Sequence, residues 1–314
     1  MAAGLLLLIV ALPYVLVGSL IELELVAAQP LLRLVLLLVA VLLVVLALRR
    51  SAFHLLPLPG LALLFLLWET GSSIGLSPFA DPAPENALEI YSQNIGSQPP
   101  SAFADWLVEH PVDLLLLQEV YSGHRAAWAR LADDLGYRML FQPLREDAGM
   151  GGLILSRLPL TRLAPVSAPT WGRKTRYFAR ARIEYRGQPI EIYTVHLESL
   201  PLVEGTRVLF GSSQLRRIQA ELLARVIAAT SVPVIVAGDL NATPLYPSTR
   251  PLRRRLTDAW TEAGFGMGFT YPAALPLSRI DALLQRGLRT ATATVVRLSD
   301  SDHRGLHLAL TLEE

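Results

Sequence analysis

The 314-residue chain contains no cysteine. This absence excludes disulfide bonds, thiolate metal sites and cysteine nucleophiles. It is compatible with either redox compartment and decides neither. The chain also has no large excess of either charge, because it has 28 basic and 27 acidic side chains. A chain balanced in this way lacks the broad basic surface through which proteins bind nucleic acid phosphates.

Two common phosphate and metal motifs are missing as well. The sequence has neither a glycine-rich phosphate loop nor a His-Glu-x-x-His zinc motif. Together with the lack of cysteine, this removes several classes of hydrolase and all thiolate zinc proteins. We found no internal repeat of fixed period, which excludes solenoid and propeller architectures.

Hydrophobic residues make up 52% of the chain, and the long apolar runs precede residue 84. The runs cover residues 4–21, 34–48 and 53–76. The first has the length of a transmembrane helix, and the second reaches it when Leu31 and Leu32 extend it across Arg33. The third is weaker and is either a kinked span or an interfacial segment. We therefore predict a membrane anchor of three helices over residues 1–76, followed by a stiff proline-containing linker over residues 77–84. A cleaved signal peptide is the alternative for the first run, but its start lacks basic residues and its apolar core is long.

The basic pair Arg49-Arg50 predicts the orientation of this anchor. Positive loops face the cytoplasm, so three spans place everything after residue 76 outside the cell. The third run contains Pro57, Pro59 and Glu69, and if it does not cross, the C-terminal domain faces the cytoplasm. We expect an integral protein of the plasma membrane with an extracytoplasmic C-terminal domain.

From residue 85 onward, strand patterns alternate with helix patterns, which predicts an α/β domain over residues 85–314. Its central stretch is Val-Pro-Val-Ile-Val-Ala-Gly-Asp-Leu-Asn-Ala-Thr-Pro, residues 232–244. The apolar part predicts a strand buried on both faces. Alternation then places Asp239 and Asn241 on the same side of the chain, where a carboxylate and an amide can orient one water molecule. An Asx turn is the structural alternative.

Polar side chains follow several other predicted strands. The candidates are Asn94, Glu119, His196, Asp281, Asp302 and His303. Ligand sites in α/β proteins form at such strand ends, and oxygen ligands suit Mg²⁺ or Mn²⁺ better than zinc. Each residue also has an ordinary structural interpretation as a cap, a turn residue or a partly buried strand residue.

Six short strings in this order resemble the endonuclease/exonuclease/phosphatase superfamily. They are Gln-Asn-Ile (93–95), Leu-Gln-Glu-Val (117–120), Thr-Val-His-Leu (194–197), Gly-Asp-Leu-Asn (238–241), Arg-Ile-Asp (279–281) and Ser-Asp-His (301–303). The resemblance implies a four-layer sandwich of two mixed β-sheets flanked by helices. Ala282 is a departure, because many members have an aromatic residue there.

The resemblance also implies metal-dependent hydrolysis of phosphoesters without a covalent intermediate. Its metal ligands would be Glu119, Asn94 and Asp302, and its catalytic residues His196, Asp239, Asn241, Asp281 and His303. Asp239 or His303 would be the general base, His196 would bind phosphate or protonate the leaving oxygen, and Asp281 would orient His303.

The loop around Lys174 and Arg176 is basic and aromatic, so these two residues are predicted to bind the substrate phosphate or an anionic lipid. An ordinary solvated loop is the alternative. The predicted anchor favours a lipid-linked phosphoester or pyrophosphate, with nucleic acid less favoured. The rival functions are an extracytoplasmic DNase-like nuclease and a non-catalytic, membrane-tethered binding module. The sequence does not indicate an oligomeric state.

Overall fold

The computed structural model describes residues 30–50, 53, 56–71, 73–77, 82–199 and 206–313. Two helices come first, α1 (Pro30–Arg49) and α2 (Pro57–Gly71), and they pack together through Leu36, Ala40 and Ala62. Over the described ranges, we find no helix with both the length and the apolar character that a membrane crossing requires. The predicted membrane anchor is therefore not supported there, and the first apolar run, residues 4–21, lies outside the described residues.

The remaining elements alternate as the sequence predicts. The helices are α3 (Ser101–Glu109), α4 (Arg125–Asp134), α5 (Thr206–Ala228), α6 (Arg250–Arg253) and α7 (Ala259–Ala263). The strands are β1 (Gly75–Leu76), β2 (Leu88–Asn94), β3 (Leu114–Tyr121), β4 (Arg138–Pro143), β5 (Met150–Ser156), β6 (Leu160–Arg162), β7 (Val166–Pro169), β8 (Thr175–Tyr185), β9 (Gln188–His196), β10 (Val234–Asp239), β11 (Thr257–Asp258), β12 (Phe265–Gly266), β13 (Asp281–Arg286), β14 (Leu288–Val296) and β15 (Gly305–Leu312).

Two large mixed sheets form the body of the domain. One has the strand order β14-β15-β2-β3-β5-β4, and the other has the order β11-β13-β10-β9-β8-β6, with β7 beside β8. Each sheet contains one parallel pair, β2 with β3 and β9 with β10, and its other neighbouring strands are antiparallel. The predicted fold class, two mixed sheets with flanking helices, is confirmed.

Three apolar clusters hold the layers together. The inner cluster joins the facing sheets and includes Ile90 and Leu116 of one sheet with Ile192 and Ile235 of the other. A second cluster packs α5 on the outer face of the β10 sheet, and a third packs α3 and α4 on the outer face of the β3 sheet. Since β2, β3, β9 and β10 are covered on both faces, their residues are nearly all buried, as expected for strands in the middle of a layered fold.

The residues at the start of the predicted linker are hydrogen-bonded to the α/β domain. Strand β1 pairs with β12, and the amide of Ser77 donates to the carbonyl of Gly264 at 3.1 Å. Arg279 donates from Nη2 to the carbonyl of Ser73 at 2.8 Å, while its Nη1 binds Asp258 at 2.8 Å. The domain boundary at residues 77–84 stays a prediction, although residues 73–77 already belong to the hydrogen-bonded structure of the domain.

Asp258 is expected to be a major source of stability for this corner. Its carboxylate accepts hydrogen bonds from Arg279 and from Arg253, the latter at 2.5 Å. It also accepts one from the backbone amide of Trp260 at 3.1 Å, and this bond caps the N-terminus of α7. Removing one partner of a buried ion pair costs roughly 3–5 kcal/mol, so we expect Asp258→Ala to lower the free energy of unfolding by about that amount. Chemical denaturation measures this change, and the exposed ion-pair residue Asp147 is the control, whose alanine variant should change little.

The effect should also depend on pH. Burial alone would raise the pKa of Asp258, but the charges of Arg279 and Arg253 outweigh it and hold the pKa below its ordinary value. The stabilisation is therefore present above the unfolded pKa of about 3.9 and is lost as the pH falls through the folded value. The difference between wild type and Asp258→Ala should shrink in acid, and a difference that stays constant down to pH 2 would contradict this assignment.

Candidate active site

Seven of the predicted residues meet at one edge of the sandwich: Asn94, Glu119, His196, Asp239, Asn241, Asp281 and His303. The two parallel pairs explain this convergence, because parallel neighbours bring their carboxyl ends to the same edge of a sheet. In the register of the β10 sheet, Asp239 lies beside His196 on one side and Asp281 on the other. The structure therefore brings these predicted residues together, and their catalytic and metal-binding roles stay predictions.

Asp239 is the most central of these groups. Its Oδ1 accepts from the amide of Asn241 at 2.8 Å, and its Oδ2 accepts from Nδ2 of Asn94 at 3.1 Å and Nδ2 of Asn241 at 3.2 Å. Burial raises the pKa of Asp239 to about 7, with the charge of Asp281 acting in the same direction and that of His303 against it. The carboxylate is thus fixed in orientation, and its pKa is raised above the ordinary value for aspartate.

The sequence predicted that Glu119 follows the end of a strand. In the structure it lies instead in a bulge within β3. The register with β5 shifts between Leu117 and Val120, and Glu119 has a φ of 54°. A bulge re-aims a side chain out of the regular alternation. Here it brings Oε1 within 3.0 Å of the Asn94 amide nitrogen, which also binds Asp239. The side-chain amide of Asn94 therefore bridges the carboxylate of Glu119 in one sheet and that of Asp239 in the other.

His303 is held by a carboxylate on one side of its ring. Its Nδ1 lies 2.9 Å from Oδ2 of Asp281, and its Nε2 lies 3.8 Å from Oδ2 of Asp239. Burial alone would lower the pKa of His303, but the charge and hydrogen bond of Asp281 outweigh it and raise the pKa to about 10. The ring is therefore an imidazolium at neutral pH, with Nε2 directed toward Asp239.

His196 differs in its electrostatics. Its Nε2 lies 3.7 Å from both Oε1 of Glu119 and Oδ2 of Asp239, and its Nδ1 is buried without a partner among the described residues. Burial lowers the pKa of His196 well below its ordinary value, and the charges of Arg176 and His303 add to the effect. The lowered pKa favours the neutral form of His196, whereas the raised pKa of His303 favours its charged form.

The donor set fits a hard divalent cation. Glu119, Asp239 and Asp281 contribute carboxylates, and Oδ1 of Asp281 is buried without a described hydrogen-bond partner. Ligand atoms of Asp239, Asp281 and His303 lie within 4.8 Å of one another and could hold a metal ion. Oxygen-rich donor sets of this kind favour Mg²⁺ or Mn²⁺. Nδ1 of His303 is engaged with Asp281 at 2.9 Å.

Three predicted residues do not join this group. Lys174 is half exposed and binds Asp147 at 2.5 Å, beside a pocket of about 370 Å³. Arg176 is 4% exposed and binds main-chain carbonyls and a buried carboxylate, so it does not face solvent as a substrate ligand would. Asp302 has an exposed side chain, and its carbonyl accepts from the amide of Ala273 at 2.6 Å. Metal binding by Asp302 stays a prediction.

Several supporting residues were missed by sequence reasoning. Gln93 donates to the carbonyl of His303 at 2.8 Å, and Ser301 donates to the carbonyl of Asn94 at 2.7 Å and accepts from the amide of His303. Both lie inside the quoted strings, which is the signal that could have revealed them. The ring of Tyr271 lies 4.9 Å from that of His303, and nothing in its local sequence indicated this. Ala282 packs under α5, away from the cleft.

Gly238 leaves no room for a side chain. Its φ is 140°, and a Cβ atom would lie 2.1 Å from the carbonyl oxygen of Val195. We expect Gly238→Ala to lower the free energy of unfolding by at least about 2 kcal/mol, from backbone strain and a clash with main chain that cannot move. The control is Gly136→Ala, where φ is 74° but a Cβ would meet nothing within 4 Å. Equal losses in the two variants, measured by urea denaturation, would contradict the steric explanation.

Comparison with known proteins agrees with the fold. The chain resembles a D. rerio TDP2 humanized by 14 mutations (21% identity, TM-score 0.56, covering 72% of this chain and 100% of that one). It also resembles an endonuclease/exonuclease/phosphatase from Bacteroides vulgatus (16% identity, TM-score 0.59, covering 73% of this chain and 100% of that one). A third similar structure is the human Nocturnin catalytic domain with bound sulfate (16% identity, TM-score 0.57, covering 74% of this chain and 97% of that one). Identities this low establish the fold alone. Comparison with curated proteins gave no match.

The sequence itself matches a family model. The match spans residues 91–303 and is described as the endonuclease/exonuclease/phosphatase family. It begins in β2, three residues before Asn94, and ends at His303, so it includes every residue of the cleft described above. Because this match covers more than half of the chain, the protein belongs to the endonuclease/exonuclease/phosphatase family.

Proposed function

We propose that this protein is a divalent-metal-dependent phosphoesterase that cleaves its substrate by direct attack of water. Members of its family are typically hydrolases acting on phosphoester bonds. The observation that carries the proposal is the meeting of two groups in one cleft. One group is Asn94 with Glu119, and the other is His303 with Asp281, and Asp239 lies in contact range of both.

Asp239 is the group that takes the proton from water. Three hydrogen bonds from the amides of Asn94 and Asn241 fix the carboxylate. A base of this kind needs an orientation that survives substrate binding and a pKa close to the working pH. His303 cannot share the role while it is charged, which supports the assignment of the base to Asp239.

The two imidazoles act on the phosphoryl group. His303, kept charged and oriented by Asp281, donates from Nε2 to a phosphoryl oxygen as negative charge develops there. His196 is neutral, and its Nε2, 3.7 Å from both Glu119 and Asp239, hydrogen-bonds the phosphate or the leaving oxygen. No covalent intermediate is required, because water is the nucleophile.

A divalent ion would be held by Glu119 and Asn94, with Asp302 as a further ligand. When bound, it would supply Lewis-acid stabilisation of the charge on the phosphoryl and leaving oxygens. Mg²⁺ or Mn²⁺ suits these oxygen donors. The bulge at Glu119 supports this role, since it turns that carboxylate toward the edge where Asn94 and Asp239 meet.

We propose that the substrate is a lipid-linked phosphoester or pyrophosphate. The enzyme would act on it at the outer face of the plasma membrane. The support is the apolar surface of α1 and α2, where Leu38, Leu42 and Leu64 are each more than half exposed. A nuclease is the second candidate, because one structural neighbour is D. rerio TDP2 complexed with a single-stranded DNA product (18% identity, TM-score 0.56). A non-catalytic binding module is the third, and the intact cleft argues against it.

One purified preparation distinguishes the three functions. It is supplied with Mg²⁺ and assayed for phosphate release from undecaprenyl pyrophosphate and for nicking of plasmid DNA. Release of phosphate without nicking supports the lipid substrate, and nicking without release supports the nuclease. Inactivity on both and on simple nitrophenyl phosphoesters would refute the enzymatic proposal and leave the binding module.

A further inference from the structure

Glu198 lies two residues after His196 at the centre of a buried polar cluster. Its Oε1 accepts from Nη2 of Arg176 at 3.1 Å, and its Oε2 accepts from Thr170 at 2.5 Å and Gln219 at 3.1 Å. Its amide donates to Oε1 of Gln219 at 2.8 Å, and its carbonyl accepts from Nη1 of Arg216 at 3.0 Å. Every hydrogen-bonding group of Glu198 is therefore engaged, although the residue is only 4% exposed.

The two arginines connect this cluster to the main chain of the site. Nη1 of Arg176 donates to the carbonyls of His196 at 2.6 Å and Leu197 at 3.1 Å. Nη1 of Arg216 donates to the carbonyl of Asn241 at 2.7 Å as well as to Glu198. Each guanidinium thus links the Glu198 residue to a backbone segment that carries a side chain of the site.

The two segments are also bound directly to each other. Nδ2 of Asn241 donates to the carbonyl of Leu197 at 3.1 Å, and the amide of Leu197 donates to the carbonyl of Asp239 at 2.9 Å. The segment after β9 and the turn after β10 therefore form one hydrogen-bonded unit. Helix α5, which supplies Arg216 and Gln219, holds this unit from outside the sheet.

Stability alone does not account for such a cluster. Taking an acid and two guanidiniums out of water is costly, and well-packed apolar residues commonly hold a sheet and a helix together at least as strongly. Apolar side chains cannot orient carbonyl groups, however. The directional bonds to the carbonyls of His196, Leu197 and Asn241 give the backbone a defined orientation, which a catalytic arrangement requires.

We propose that Glu198 is a positioning residue for hydrolysis at this site. Acting through Arg176 and Arg216, it fixes the main chain at His196 and Asn241, and so fixes how those two side chains approach Asp239. The inference rests on the proposed function. It assigns Arg176 to the support of the site, where the sequence had suggested a substrate contact.

The test compares Glu198→Gln with a matched control, Glu191→Gln. Glu191 lies on the same strand as His196, is 1% exposed and pairs with Arg180 at 2.8 Å and Arg182 at 3.0 Å, but it lies five residues before His196. In Glu198→Gln, the amide nitrogen replaces one oxygen and faces a donor. Misplacement of reacting groups lowers the rate more than ground-state binding. We expect kcat to fall roughly 10²-fold with KM within about threefold, and kcat of Glu191→Gln to stay within about threefold of wild type.

The ring signals of His196 in NMR spectra, assigned with a His196→Gln variant, give a readout that needs no activity. They should shift in Glu198→Gln and not in Glu191→Gln. Unchanged His196 signals, or equal losses of kcat in the two variants, would overturn the positioning role. A wild-type protein that hydrolyses no phosphoester would instead refute the proposed function, and the NMR comparison would still decide how Glu198 acts on His196.

Discussion

Replacing Asp239 with asparagine is expected to lower kcat/KM for phosphoester hydrolysis roughly 10²–10⁴-fold, the usual contribution of a general base. The asparagine side chain has the same shape but cannot take a proton from water. It also directs an amide nitrogen at one of the donors on Asn94 or Asn241, which now bind carboxylate oxygens. Steady-state kinetics at saturating Mg²⁺ measure the loss.

Stability should respond differently from activity. Because burial raises the pKa of Asp239, the fold disfavours its charged form, and a neutral side chain relieves that cost at pH 8. We therefore expect Asp239→Asn to melt no lower than wild type. Asp113→Asn is the control, because burial also raises the pKa of Asp113. Asp113 directly precedes β3, at the opposite end of that strand from Glu119. Activity retained in Asp239→Asn, or lost equally in Asp113→Asn, would contradict the assignment.

Replacing Glu119 with glutamine should produce a different kind of loss. If Glu119 holds the divalent ion, the variant needs a higher metal concentration, and we expect the half-activating concentration of Mg²⁺ to rise by about 10²-fold or more. Activity should recover in part at high Mg²⁺, because the base and both imidazoles remain. Asp239→Asn should show no such recovery, so metal titrations separate the two roles.

Glu89 provides the matched control for this second prediction. Its carboxylate is in the same sheet as Glu119, is exposed to a similar degree (31% against 28%) and pairs with His307 at 3.0 Å, away from the cleft. Glu89→Gln should leave the metal titration unchanged. A wild-type titration curve in Glu119→Gln, or a shifted one in Glu89→Gln, would show that Glu119 does not bind the ion.

The central stretch shows how far local pattern predicts structure. A strand followed by Asp239 and Asn241 was predicted, and β10 ends at Asp239. The two alternatives for this pair prove compatible, because the amide of Asn241 bonds to the Asp239 carboxylate in an Asx-type turn, with φ of 48° at Asn241. The turn is what orients the carboxylate, so the structural and catalytic interpretations describe one arrangement.

Features set by long-range contacts were not predictable in this way. The position of Glu119 depends on a bulge that only the pairing of β3 with β5 reveals. Arg176 has the composition of a surface ligand, but Glu198, 22 residues away, binds it inside the protein. A single sequence gives no sign of that pairing, because both residues are polar and each fits an exposed loop equally well.

The most direct test of this account is the rate of bis(4-nitrophenyl) phosphate and 4-nitrophenyl phosphate hydrolysis after chelation and stepwise return of Mg²⁺ or Mn²⁺. We predict that wild type loses hydrolysis in chelator and regains it with the metal, while Asp239→Asn stays at least about 10²-fold slower than wild type at every metal concentration. Hydrolysis that persists in chelator, or that Asp239→Asn carries out at the wild-type rate, would contradict the claim that one divalent ion and one carboxylate-activated water share this cleft.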